Sequence, residues 1–457
     1  MTTRAKTTFA IALLFAINTM NFFDRQILGA VAESIRKQWS LSDTELGTLG
    51  TAFTLIYAAV GLPLGRLTDR VTRTRILAAG VFIWSLLTAA SGIARNYFQL
   101  FAYRLGVGVG EATCAPASAS LIGDLYPANK RAKAMSIFMM GLPIGIALSF
   151  AVSGWVAQTF KDWRPAFYVA AIPGLICAGL ALLVHEPGRG ATESHKVGAS
   201  KREGSPFLLV LSIPTMWWII ASGALHNFNM YAIGSFLAPF LQRYHGQNVQ
   251  QAGFASMLVY GLAGVPGLLA GGIIGDAVMR RRQNGRLVVA TLFILVSVPF
   301  VYFALGRGKG DMTGFMVLMG CGMGSMYAYY STVYSTIQDV IEPSLRGTAM
   351  AMYFFAMYVL GASFGPIATG FASDYFTRKA AGAAGVVEMT QAALEPFKAD
   401  GLHLAMYTIP VLGALLALVL FAASRTVTRD MDKLNHWMRE SAQGPTVEKA
   451  ATAEATK

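Results

Sequence analysis

Three ionisable residues sit where ionisable residues are expensive. Asp24 lies in the apolar run that begins at Phe9, and Arg104 and Glu111 lie in a second run, Tyr103-Arg104-Leu105-Gly106-Val107-Gly108-Val109-Gly110-Glu111-Ala112. A charge at the centre of a membrane helix costs about 2.5–3.5 kcal/mol on insertion scales, so such residues usually face a cavity and serve function. Arg104 and Glu111 share one helical face, two turns and about 10 Å apart along the axis. Gly106, Gly108 and Gly110 leave that region thin, open to a neighbouring helix or a ligand. Arg104 is therefore expected to face Asp24, Glu111 or both. Burial and a neighbouring guanidinium pull in opposite senses on a carboxyl's proton affinity, which suits a group that gains and loses a proton. Glu111 is the first choice for proton carrier and Asp24 the second. Arg104 would be the switching counter-ion, or a clamp for an anionic substrate group. All three double as substrate-binding candidates. The alternative is a static ion pair that holds the bundle together. Arg25, beside Asp24, is read as snorkelling or pairing locally.

A second set lies late in the chain. Tyr327, Tyr330 and Tyr334 fall at i, i+3 and i+7, one helical face, and His226, Asn227, Asn229 and Tyr231 crowd another apolar run. Asn227, Tyr330 and Tyr334 are the substrate-binding candidates here, since such a face suits a cavity for an amphipathic ligand. Helix–helix contact is the competing reading.

The elements that position these residues must be membrane helices. Of the 457 residues, 54% are hydrophobic and only 13% charged, about half the charge of a soluble domain. Runs such as 76–94, 165–184, 287–305 and 404–423 approach the ~20 apolar residues that cross a ~30 Å hydrocarbon core. Helices are expected near 9–32, 45–65, 76–94, 98–125, 134–158, 165–184, 207–241, 251–275, 288–305, 313–338, 348–375 and 404–424. The fold class is thus an all-α membrane protein of twelve transmembrane helices. The first run contains Asp24 and Arg25 and is read as a retained helix, not a signal peptide. Cys114, Cys177 and Cys321 show neither disulfide nor metal spacing. No cofactor or metal is expected. Gly361-Ala362-Ser363-Phe364-Gly365 matches a hydrolase elbow, but that motif needs a preceding strand, so no enzyme is expected.

Of the 37 Lys and Arg, 24 fall on the amino-terminal face of this arrangement, 11 on the opposite face and 2 within the membrane. By the positive-inside rule both termini are cytoplasmic, and the basic charge reports topology, not nucleic-acid binding. Residues 186–206 are polar and separate an amino-terminal bundle, 1–185, from a carboxyl-terminal one, 207–424. Residues 120–135 (SLIGDLYPANKRAKAM) and 335–350 (STIQDVIEPSLRGTAM) match at six of sixteen positions, among them Asp124/Asp339 and Arg131/Arg346. Two six-helix bundles related by a pseudo-two-fold axis, rocking about a central site, follow from this parallel repeat. Residues 425–457 form a cytoplasmic tail. Val427, Met431, Leu434 and Met438 recur there at helical spacing, as in an amphipathic helix on the inner membrane surface or a solvated tail helix, and the last fifteen residues read as disordered.

The turn after the second helix reads Gly65-Arg66-Leu67-Thr68-Asp69-Arg70-Val71-Thr72-Arg73-Thr74-Arg75. A carboxylate there can sit against a helix amino terminus of the other bundle when the cytoplasmic side is closed. Asp69, Arg70 and Arg73 are therefore gating candidates. So are Asp276 and Arg280 in the looser second copy that starts at Gly272, and Asp124 and Arg131 nearby; ordinary positive-inside charge is the alternative. The turn resembles the G-x-x-x-D-R-x-G-R-R/K signature of the major facilitator superfamily, with Thr72 where that family has Gly. The resemblance implies the major facilitator fold and alternating access. Asn21-Phe22-Phe23-Asp24-Arg25 and Gly108-Val109-Gly110-Glu111-Ala112 resemble Spinster lipid transporters, which implies a proton-coupled transporter of a lipid-like solute. Organic anion–proton symporters share N-Y-x-D-R and R-x-x-x-G-x-x-E-A, and Phe22-Phe23, without the Tyr, fits neither pattern fully. The partners expected are an amphipathic or anionic solute, protons and the bilayer, with the chain working as a monomer. An uncoupled facilitator is a further alternative. Short loops point to a bacterial inner membrane.

Overall fold

Hydrocarbon offers no partner for backbone N–H and C=O groups, so each span must close its hydrogen bonds internally. The computed structural model describes residues 3–68, 70–188, 205–342 and 345–443, and every regular element among them is a helix. In the first half these are α1 (Thr3–Trp39), α2 (Asp43–Thr68), α3 (Arg73–Gly92), α4 (Tyr97–Glu111) with α5 (Cys114–Leu125), α6 (Ala128–Met139) with α7 (Gly141–Phe160), and α8 (Arg164–Ala181). The second half has α9 (Pro206–Leu211) with α10 (Pro214–Arg243), α11 (Val249–Ser256) with α12 (Gly264–Met279), α13 (Gly285–Leu305), α14 (Met312–Val340), and α15 (Arg346–Met357) with α16 (Phe364–Ala383). The short α17 (Gln391–Leu394) and α18 (Lys398–Met406) precede the last span, α19 (Thr408–Gln443). π-helical turns at Met257–Leu262 and Tyr358–Ala362 join α11 to α12 and α15 to α16.

These segments make the twelve spans that composition implied. Among the described residues, nine helical stretches are long and apolar enough to cross a membrane by length and composition alone. The spans outside that set include α10 and α14, whose buried His226, Asn227, Asn229 and tyrosines lower their hydropathy. Their polar groups face protein, so lipid does not penalise them.

Small residues set the seam between the halves, where α2 packs on α16, α1 on α10, and α7 on α11. A Cβ at Gly47 would lie 2.3 Å from the Pro366 carbonyl oxygen and one at Gly29 would lie 2.3 Å from that of Gly234, both across the seam, while one at Gly361 would lie 2.2 Å from the Ala224 carbonyl within the second half. The Gly-x-Ser-x-Gly stretch is accordingly a packing surface within a helical span, and Ser363 Oγ donates to the Tyr358 carbonyl at 2.9 Å.

The internal repeat is visible in bonds as well as letters. Arg131 donates to the Gly123 carbonyl at 2.7 Å, and Arg346 donates to that of Gln338 at 3.0 Å. Asp124 pairs with Arg73 at the start of α3, and its counterpart Asp339 pairs with Arg286 at the start of α13. Arg73 is buried and also bonds Glu186 Oε1 at 2.7 Å and the Pro187 carbonyl at 2.8 Å. The chain beyond α8 is thereby fastened to α3. Residues 189–204, most of the expected connecting segment, and 444–457 of the tail lie outside the described residues.

The tail helix is continuous with α19 rather than a separate element. Val427, Met431 and Leu434 are buried against the protein, and Asp430 accepts from the Thr215 N–H at 2.9 Å, capping α10. The first three members of the expected stripe therefore cover the second half, while Met438 is exposed.

Burial raises the Glu186 carboxyl, but the Arg73 guanidinium and the Thr74 N–H outweigh it and hold the group below its ordinary value. A depressed folded value contributes stability above the unfolded carboxyl's value and loses it as pH falls through the folded one. Glu186→Gln should therefore cost about 1 kcal/mol at neutral pH, with the difference from wild type closing on acidification. Melting temperature against pH in detergent checks this.

Candidate functional site

Four charges meet near the middle of the first half. Asp24 and Arg25 are neighbours on α1, and Arg104 and Glu111 lie on α4; none is more than a few per cent exposed. The glycines of α4 permit the meeting, because a Cβ at Gly108 would lie 2.9 Å from the Phe53 carbonyl oxygen on α2. Arg25 Nε donates to Glu111 Oε2 at 2.8 Å, and its Nη1 donates to Tyr358 Oη of the second half at 3.1 Å. Its guanidinium also lies over Tyr57 at 4.4 Å, Phe22 at 4.9 Å and Phe53 at 5.5 Å from the ring centroids. Desolvated cation–π contacts of this kind are worth up to about 2 kcal/mol each.

The remaining pair is less satisfied. Arg104 Nη2 donates to the main-chain carbonyl of Asp24 at 3.3 Å, and its guanidinium sits 5.3 Å from the Phe53 centroid. Its Nε and Nη1 have no hydrogen-bond partner among the described residues. Asp24 Oδ2 accepts from Thr88 at 3.3 Å, while Asp24 Oδ1 and Glu111 Oε1 are buried without partners. Each such group costs about 1–3 kcal/mol, more when charged. A cavity lined by Arg25, Gln26, Phe53, Arg104, Tyr231 and Ser235 adjoins the two guanidiniums, and Asp24 and Glu111 lie behind them without lining it. With all four side chains ionised the set is neutral, and it can bond to an incoming anion or proton without breaking an existing contact at Arg104.

The sequence-predicted residues fall into three places. Asp24, Arg104 and Glu111 come together, but the partner of Glu111 is Arg25, and Arg104 reaches Asp24 through its main chain. Arg25 and Asp24 are adjacent on one helix, about 100° apart, so they point to different neighbours. Asn227, Tyr330 and Tyr334 gather in the second half. Asn227 Nδ2 lies 2.9 Å from the Gly223 carbonyl and 3.2 Å from Met357 Sδ, and Tyr334 Oη is 3.9 Å from the same sulfur. The Tyr330 ring packs edge-on to Tyr334 and His226. Tyr231 meets Tyr358 at 6.1 Å, and Tyr57 meets it at 5.0 Å, so aromatic rings join the charged site to the second half. Tyr358 had no signal in the sequence beyond its ring, whereas Arg25 could have been found by its place inside an apolar run.

The gating candidates among the described residues lie at the amino-terminal end. Arg73 and Asp124 pair within the first half, and Arg131 bonds within it too. Asp276 pairs with Arg286 at 2.7 Å, and Arg280 is an exposed neighbour at the end of α12. Arg70 is exposed in the turn, and Asp69 lies outside the described residues. Among the described residues, the bonds given between the halves run from the middle of the molecule to its opposite end, beginning with Arg25–Tyr358 and Thr54–Ser363 at 3.1 Å.

Twelve spans in two repeated halves, with a charged cavity between them, define a membrane transporter. Residues 14–366 match the Major Facilitator Superfamily model; the chain belongs to that superfamily and within it is Spinster-like. It is 28% identical over 369 residues to an MFS-type efflux pump of Mycolicibacterium smegmatis, covering 80% of this chain and 85% of that one. It is 27% identical over 385 residues to the sphingosine-1-phosphate transporter SPNS2 of Xenopus tropicalis, covering 80% and 73%. Among solved structures it is similar to a bacterial homologue of the human lysosomal transporter Spinster in an inward-facing, unoccupied conformation. There the TM-score is 0.81 and the identity 27%, over 93% of this chain and 98% of that one.

Removing one member of a buried pair leaves an uncompensated charge. Arg25→Met should destabilise the protein by about 3–5 kcal/mol. Arg25→Met with Glu111→Gln should lose less than the two single changes summed, as read by melting temperature in detergent. Additive losses would show that the two groups are not coupled.

Proposed function

We propose that the chain is a proton-coupled secondary transporter that moves an amphipathic, lipid-like or anionic solute by alternating access. The observation that carries this is the neutral set of two guanidiniums, which line the cavity, and the two carboxylates behind them, with donors of Arg104 and oxygens of Asp24 and Glu111 unmatched among the described residues. An anionic head group reaching Arg104 upsets the charge balance, and a proton on a carboxyl restores it. Glu111 carries that proton in this reading, with Asp24 second, while Arg25 and Arg104 hold the charge that remains. The tyrosines at 330 and 334, with Asn227, receive the apolar part of the solute. Similarity to a sphingosine-1-phosphate transporter supports a ligand with a charged head and an apolar tail.

The same reading sets the membrane orientation. The basic excess of the amino-terminal face puts both termini in the cytoplasm, in a bacterial inner membrane. Each chain holds a complete pathway and works as a monomer. The bundles run over 1–185 and 207–424, joined by 186–206. Asp69, Arg70, Arg73, Asp124, Arg131, Asp276 and Arg280 form the gate that assembles when the cytoplasmic end closes.

Proton flux into liposomes containing the purified protein tests the reading. Lysophospholipids, sphingoid phosphates and small organic anions are offered in turn to wild type and Glu111→Gln. Flux driven by an amphipathic lipid in wild type and lost in the variant is expected. Flux driven only by small anions would move the assignment to organic anion–proton symport. Solute movement unchanged in Glu111→Gln would remove the carrier role from that residue.

A further inference from the structure

The last span continues past the membrane, and one of its faces changes character where it leaves. At about 100° per residue, Val411, Leu415, Leu418, Arg425, Arg429 and Lys433 fall within about 40° of one line along α19, and all of them are exposed. The first three are apolar and belong to residues 404–423, the ~20 that cross a ~30 Å core, so this face meets lipid. The last three are basic and begin just beyond that stretch. The opposite face stays buried throughout, from Leu416 and Leu420 to Val427, Met431 and Leu434. A lipid-facing apolar surface thus becomes a basic one without changing direction.

Depth and rotation are both fixed by the protein. Trp217 and Trp218 are exposed at the start of α10, and exposed tryptophan marks a membrane–water interface. Asp430 is bound to that same start, accepting from the Thr215 N–H at 2.9 Å and from Thr215 Oγ1 at 2.6 Å. The tail at Asp430 is therefore level with an interface. At 1.5 Å per residue Arg425 stands about 3 Å and Arg429 about 9 Å past residue 423, within reach of the head-group layer for side chains of this length. Lys433 lies further out, within a Debye length of the membrane surface. Asn284 Nδ2 donates to the Ser424 carbonyl at 3.2 Å, and Gln283 Nε2 donates to Asp432 Oδ1, at the edge of the basic face, at 3.1 Å. With Asp430 these bonds keep the helix from rolling. The Arg425 guanidinium lies over the Phe421 ring at 4.7 Å, and none of the three cations has an ion-pair partner among the described residues.

We propose that Arg425, Arg429 and Lys433 bind the phosphate groups of anionic phospholipids in the leaflet at the amino-terminal end. Lipid is the occupant, and free phosphate is not, because the row is open to one side and continuous with the surface that acyl chains cover. An exposed row of cations holds an ion weakly unless something else concentrates the ion beside it, and the bilayer does so. Through Asp430, Ser424 and Asp432 a lipid bound here also braces the start of α10 and the turn before α13. The inference rests on the chain crossing a membrane, and on neither proton coupling nor the identity of the solute.

Native mass spectrometry of the full chain, released from neutral detergent, compares phosphatidylglycerol with phosphatidylcholine. Wild type should hold its tightest phosphatidylglycerol roughly tenfold better than phosphatidylcholine. R425Q/R429Q/K433Q should lose most of that preference, and R425K/R429K/K433R, which keeps the charges, should retain it. R75Q/K130Q/K133Q removes three exposed cations from the same end of the first half and should change the preference by less than about twofold. Melting temperature in nanodiscs gives a second reading: phosphatidylglycerol should stabilise wild type more than it stabilises R425Q/R429Q/K433Q. Equal losses in the two glutamine variants would reduce the effect to net charge and overturn the site. A preference unchanged in R425Q/R429Q/K433Q, or phosphatidylglycerol displaced by millimolar inorganic phosphate, would overturn it too.

Discussion

Arg25 and Glu111 meet at 2.8 Å, with side chains 4% and 0% exposed. A guanidinium in such a place requires a matched anion, and much of the surrounding architecture serves that requirement. Three glycines thin α4 so that α2 and α3 can approach it closely. Phe22, Phe53 and Tyr57 turn ring faces toward the cation. Tyr358, from a π-helical turn in the other half, supplies a hydroxyl. The ion pair is thus also a joint between halves, since Arg25 bonds Glu111 in one and Tyr358 in the other.

The two ends of the molecule are built from the same materials and used differently. At the amino-terminal end Arg73, Arg131, Arg286 and Arg346 bond partners within their own half and stiffen each bundle. At the opposite end Arg36 and Arg243 reach across the seam and join the bundles. Rigid halves with a separable joint are what a rocking transporter needs, since interfaces with discrete arrangements switch where packed cores do not.

The twelve spans were legible because lipid leaves helices as the one economical solution and because apolar runs of the right length are unambiguous. The repeat was legible too, since Asp124/Asp339 and Arg131/Arg346 make equivalent bonds in each half. Side-chain direction was not. Asp24 and Arg25 are adjacent, so spacing alone could not say which would face Glu111. Tyr358 lies 333 residues from Arg25 and reaches it only because a π-helical turn aims it there. Asp276 takes Arg286 in preference to Arg280 because the turn after α12 brings the start of α13 back beside it. Nothing in the spacing of Glu33, Arg36, Asp43 and Lys398 singles them out, and only the fold shows them buried.

The central claim is that Glu111 exchanges a proton when solute enters the cavity, and infrared difference spectroscopy of the protein in lipid observes that carboxyl directly. Solute is added at constant pH and the carbonyl stretching band of protonated carboxyl groups is followed in wild type and in Glu111→Gln. The account predicts that the band grows in wild type as solute binds and that this change disappears in the variant. A band that is unchanged by solute, or one that grows equally in Glu111→Gln, would contradict it.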